Sequence, residues 1–162
     1  LFPVHPEYIE TFQKVPIVEK RGVLQVLSRA MSGMRDTEVP ADVPGILAFD
    51  GFWSHLMDNP SFRAHPEVKA VMECTTVLEA KVNGAFPKKQ YKPLAIRIIQ
   101  GLAVHRLTTH DIHVPIGLTP EELRDNLCLF HPMAAQLGDT PADDLLGLIE
   151  VTLKEIRTTV SG

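Results

Sequence analysis

What these 162 residues lack narrows the field before any motif is read. There are two cysteines, Cys74 and Cys128, and neither has a CxxC companion, so no disulfide framework or thiolate metal knuckle organises the chain. Both sit among residues of helical pattern and read as reduced, buried thiols of a cytoplasmic protein. No apolar run reaches the length that spans a bilayer, and LFPVHPEYIE lacks the basic start and apolar core of a secretory signal. A membrane is therefore not expected as a partner. No GxxxxGK[ST] loop and no acidic Walker-B strand occur, so nucleotide phosphates and magnesium have no cradle within these residues. Dense Lys/Arg tracts are missing too. With 16 Lys+Arg against 20 Asp+Glu the net charge is -4, which gives no general electrostatic footprint for nucleic acid.

What is present is helical grammar. Glu7 to Phe12 predicts a short helix after Pro6, closed by Pro16. From Glu19 to Met34 the residues Val23, Leu24, Leu27, Met31 and Met34 recur at helical spacing and predict an inward stripe. Asp36 to Gly45, with Pro40 and Pro44, reads as a loop, and Ile46 to Phe49 as a brief extended piece. Asp50 is the expected cap of a short helix through Trp53 and Met57, with Phe49, Phe52 and Trp53 read as core. Pro66 begins a longer helix to about Val82, stopped at Asn83-Gly84. Pro93 to Leu107 predicts another, with Leu94, Ile98, Ile99, Leu102 and Leu107 on its packed side. Arg97, Gln100, Gly101 and His105 share the other side, and Gly101 fits a close helix crossing. Thr119-Pro120-Glu121-Glu122 carries a capping box for a helix to about 129. The same logic at Thr140-Pro141 opens a final helix over 142–160, packed through Leu145, Leu146, Ile149, Leu153, Ile156 and Val160.

Residues 91–130, YKPLAIRIIQGLAVHRLTTHDIHVPIGLTPEELRDNLCLF, resemble a specific family when taken with the opening LFPVHPEYIETFQKVPIVEKRGVLQVLSRAM. That family is DUF6079, large ATPases associated with bacterial phage-growth-limitation and BREX phage-exclusion systems. The resemblance implies a mainly α protein: a helical, AAA-like lid over 1–88 and a helix-turn-helix or truncated winged-helix-like part over 89–162, packed as one compact body. It also implies that the chain is an internal piece of a longer protein, as its start on Leu1-Phe2 without a methionine fits. ATP and magnesium are implied for the full-length protein and no cofactor for these residues alone. The implied partners are the upstream ATPase core and other phage-defence proteins.

Lys20-Arg21-Gly22 is the segment to single out. Arginine offers a planar, permanently charged donor fork suited to phosphate oxygens, and Arg21 stands near a helix N-terminus, where anions are also favoured. By the resemblance, Arg21 is the lid arginine that approaches nucleotide held on the preceding core. The seven histidines, including the His110-Asp111-His113 cluster, match no zinc spacing, so no metal site is assigned. Glu121-Glu122 and Asp143-Asp144 fall at helix starts, where the helix field accounts for them, and no nucleophile has a recognisable setting. No catalytic residue is assigned. The alternative function is nucleic-acid binding by a winged-helix-like module, with 142–160 as recognition helix and Lys92, Arg97, His105 and Arg106 as its basic neighbourhood.

Overall fold

A computed structural model describes residues 2–41, 43–109, 116–136 and 139–161. The protein is a mainly α-helical bundle of eight α-helices among the described residues, with no β-strand there. Their order is α1 (Pro6–Lys14), α2 (Lys20–Met34), α3 (Phe52–Asp58), α4 (Pro60–Arg63), α5 (Pro66–Ala85), α6 (Lys92–Arg106), α7 (Pro120–Asn126) and α8 (Pro141–Ser161). Short 3-10 turns occupy Phe49–Gly51, Lys89–Tyr91 and Pro132–Gln136.

Proline and a capping side chain start several of these helices. Pro6 opens α1, where the His5 imidazole accepts from the Glu7 amide at 3.2 Å. Asn59 caps α4 through its Oδ1, which accepts from the Ser61 amide at 3.0 Å. At α7 the capping box is complete: Thr119 Oγ1 accepts from the Glu122 amide at 3.2 Å, and Glu122 Oε2 accepts from the Thr119 amide at 2.7 Å. The expected stop at Asn83-Gly84 is displaced. Helix α5 runs through Gly84 to Ala85 because the Phe86 amide still reaches the Val82 carbonyl at 3.2 Å, and Pro87 then forbids continuation.

One cluster of buried residues runs through both halves of the chain. At the N-terminal side, Tyr8 and Phe12 of α1 stack on Phe52 of α3, with the Phe12 and Phe52 ring centroids 4.0 Å apart. Phe49, Phe52 and Trp53 are buried as the sequence predicts. A single parallel bridge between Val4 and Leu47 ties the first residues to the loop before α3. Helix α6 lies at the middle, packed on α3, the Phe49–Gly51 turn, α5 and α8. Its buried residues, Leu94, Ala95, Ile98, Ile99, Gly101, Ala103 and Val104, occupy most of its circumference.

The close approach expected at Gly101 is met: it is buried beneath Leu127 at the end of α7. Two expectations are corrected by this packing. Leu24 and Met31 are 66% and 41% exposed, because α2 turns only the Val23 and Leu27 edge inward, chiefly against α1. Cys74 is exposed and Cys128 half-buried, since the inward line of α5 runs Val68, Thr75, Val82 and leaves Cys74 one position off it. No helix of the described residues is long and apolar enough to cross a membrane.

A Cβ at Gly101 would stand 2.6 Å from Leu127 Cδ1 and 2.9 Å from Cδ2, and Leu127 is fully buried. Gly101→Ala is expected to destabilise by about 1 kcal/mol net, with overpacking of ~2 kcal/mol outweighing ~1 kcal/mol of gained helix propensity. In a Leu127→Ala background the same change should stabilise by about 1 kcal/mol, because only the propensity gain remains. Denaturant titration of the four variants reads this directly, and additive effects would mean that the two residues do not touch.

Candidate functional site

Arg21 occupies the second position of α2, directly after Lys20, in a first turn that contains no acidic residue. Cations there meet the positive end of the helix dipole, so the local field gives them no reason to be in place. Glu19, the cap residue, makes no side-chain capping bond. Both Lys20 and Arg21 are exposed, and among the described residues no hydrogen bond or ion pair engages Arg21. Glu7 and Glu19, the acids nearest to it in sequence, form no salt bridge with it. Beside it a small groove of about 160 Å³ lies between α1 and α2, lined by Ile9, Phe12, Gln13, Lys20, Val23, Leu24 and Leu27.

Arg97, expected in a basic and solvent-facing neighbourhood, is instead the best-coordinated cation among the described residues. Its Nε and Nη2 donate to the two oxygens of Asp50 at 2.7 and 3.1 Å, a bidentate pair. Nη2 also donates to the Leu127 carbonyl at 2.6 Å and Nη1 to the Cys128 carbonyl at 3.4 Å. Asp50 therefore serves as a buried counter-ion and not as the cap the sequence predicted. No local signal could have shown it, because the partners lie 47 residues apart. Cys128 adopts φ 45, a left-handed conformation that a non-glycine residue takes at a cost of roughly 1 kcal/mol or more. That twist turns two successive carbonyls toward one guanidinium. Burial, with Asp50 and Asp125 adding to it and Arg97 opposing, raises the Cys128 thiol above its usual range, so it stays protonated and unreactive.

The other basic residues of this half are likewise engaged or mixed with acids. Lys92 Nζ donates to the Asn83 carbonyl in the last turn of α5, and Lys81 Nζ to the Val160 carbonyl near the end of α8, each at 2.7 Å. Lys88 pairs with Glu155 at 3.7 Å. Along α8 the exposed Glu150, Lys154 and Arg157 mix the two signs, while Leu145, Leu148, Ile149 and Thr152 are buried. His105 is held below its ordinary value near 6.5, first by burial and then by Lys14, against the pull of Glu122 and Glu7. His110, Asp111 and His113 lie outside the described residues. Among those described, no three His, Cys, Asp or Glu side chains form a group able to hold a metal. A larger groove of about 580 Å³ between α5, α6 and α8 is lined by Val71, Leu78, Ile98, Leu102 and Ile156, and Cys74 borders it. No described histidine lines it.

A family model described as the DUF6079 second domain matches residues 1–162. The chain belongs to the DUF6079 family. No curated protein and no solved structure matches it. The resemblance carried by residues 91–130 and by the opening stretch thus extends over the whole of this DUF6079 domain.

Two outcomes follow from the geometry. Removing one partner of the Arg97–Asp50 pair leaves a largely desolvated charge behind, so Arg97→Ala should cost about 3 kcal/mol. Arg97→Lys should recover little, because a single ammonium cannot serve Asp50 and two carbonyls at once. Full recovery of melting temperature by lysine would show that charge alone matters. For His105, the folded state binds a proton less readily than the unfolded chain. Its contribution is therefore complete above about pH 6.5 and is lost as pH falls below that value. Melting temperatures across this window should fall less steeply for His105→Gln than for the parent, and an unchanged slope would remove His105 as a contributor.

Proposed function

We propose that this DUF6079 domain is a non-catalytic regulatory or interaction module of a larger P-loop ATPase of bacterial phage defence, of the phage-growth-limitation or BREX type. In this reading residues 1–88 act as a helical, AAA-like lid and 89–162 as a helix-turn-helix-like part set beside it. The observation that carries the proposal is Arg21: an exposed guanidinium, unpaired among the described residues, at the end of a 15-residue helix where the helix field disfavours it. None of the described residues uses that charge, which is what a residue aimed at an anion outside the domain requires.

The described residues do not by themselves fit ATP and magnesium. One exposed guanidinium can contact a phosphate oxygen, but the sequence has no glycine-rich phosphate loop, and among the described residues no group of three or more His, Cys, Asp or Glu side chains could hold the metal. Nucleotide would be held by another domain, with Arg21 reaching it across the interface as a phosphate sensor.

The test is made in the full-length protein. Arg21→Ala should lower ATP turnover by about tenfold or more, as loss of a transition-state arginine does, while stability changes by less than about 0.5 kcal/mol, as for an exposed residue. A nucleotide-bound structure should then show the guanidinium within hydrogen-bond reach of a phosphate. Unchanged turnover with a lowered melting temperature would make Arg21 a structural residue of α2 and end the sensor reading.

A further inference from the structure

One exposed flank of α2, continued by its C-cap residue Arg35, carries a pattern beyond what packing on α1 needs. Arg21, Leu24, Ser28, Met31 and Arg35 follow one another at spacings of three, four, three and four residues, and all five are exposed. That is the spacing of a seam along which one helix packs on another. Leu24 and Met31 form its apolar centre, at 66% and 41% exposure, while Val23 and Leu27 on the adjoining edge supply the packing against the body. Cations close both ends. Lys20 and Arg21 lie at the start, and Arg35 at the finish makes only an exposed 3.5 Å contact with neighbouring Asp36, which solvent screens. The helix itself holds no acidic residue, although the chain as a whole carries a net charge of -4.

We infer that α2 is a helix-docking surface whose occupant is an acidic amphipathic helix from another domain of the same DUF6079 polypeptide. The inference rests on the reading of this chain as one domain of a longer protein. Charge complementarity selects the partner: a helix carrying Asp or Glu at positions about 21 Å apart, opposite Arg21 and Arg35, with apolar residues between them for Leu24 and Met31. An anionic surface without apolar residues would leave the two exposed apolar side chains of the seam unused. A neutral apolar helix would leave the flanking cations unpaired at the rim. Because Arg21 ends the seam, the same docking would carry its guanidinium to the partner domain.

The test places a benzophenone photocrosslinker at position 28 in the full-length protein, with position 76 on the exposed side of α5 as control, and maps the crosslinked peptides by mass spectrometry. The expected product is an intramolecular crosslink from position 28 to a peptide outside residues 1–162 that is rich in Asp and Glu. Leu24→Ser together with Met31→Ser should reduce its yield about tenfold, as should Arg35→Glu, since each removes an anchor or reverses a complementary charge. These residues are exposed, so an unchanged melting temperature separates lost docking from lost folding. A yield at position 28 no greater than at 76, a crosslink only between two copies, or a partner peptide without acidic residues would each overturn the inference. ATP turnover of the parent and of Arg21→Ala is read on the same preparations. A crosslink that persists where Arg21→Ala has no effect removes the sensor reading and leaves the docking; an Arg21 effect without a crosslink does the reverse.

Discussion

A single cation joins the two ends of this bundle. Asp50 is almost wholly buried in the turn that precedes α3, and a carboxylate in that position is tolerable only if it is paired and its lone pairs are satisfied. Arg97 meets that demand from the middle of α6, and its remaining donors meet the carbonyls of Leu127 and Cys128 where α7 ends. One guanidinium therefore fixes the N-terminal half, the central helix and the C-terminal half relative to one another. The left-handed Cys128 is intelligible on the same basis, since charged hydrogen bonds are strong enough to hold a locally unfavourable backbone.

With α6 so held, the remaining helices are placed by what can reach it. Gly101 lets the end of α7 approach through Leu127, and α5 and α8 cover the sides that carry Ile98, Ile99 and Ala103. Helix α1 enters through the Tyr8, Phe12 and Phe52 rings. Helix α2 comes last in this sequence of contacts and packs chiefly on α1, which leaves the flank that carries Leu24 and Met31 exposed. The division of labour is physical: the centre is used up by stability, and the surface left over, cationic at both ends and apolar between, is available to something outside.

The sequence made the existence of the helices plain because their ends carry chemistry that acts locally. Proline at Pro66 and Pro120, the Thr119–Glu122 box and the 3.6-residue recurrence in α5 and α6 each depend on neighbours only a few positions away. Which face of a helix is buried is set by tertiary contacts, and there the reading failed in particular places. Leu24 and Met31 obey the same periodicity as Val23 and Leu27, yet α2 has room for one edge only. Arg97 looked like part of a solvent-facing side until Asp50, far away in sequence, was brought beneath it. Arg21 is a candidate in the sequence because a guanidinium beside a helix start suits an anion, which is a local property, whereas the exposure of Leu24 and Met31 that continues the seam from it is set by tertiary packing.

Helix α6 anchors one continuous core, while α2 remains at its margin. Native-state hydrogen exchange of the domain tests it most directly, because amides of the last-opening core exchange only with global unfolding and marginal elements open below that free energy. The expected result is that amides of Ile98, Ile99 and Ala103 exchange slowest and lose protection together with the buried amides of α3 and α8 when Arg97 is replaced, while those of α2 exchange faster throughout. Protection of α2 equal to that of α6, or persistence of full α6 protection after Arg97→Ala, would contradict it.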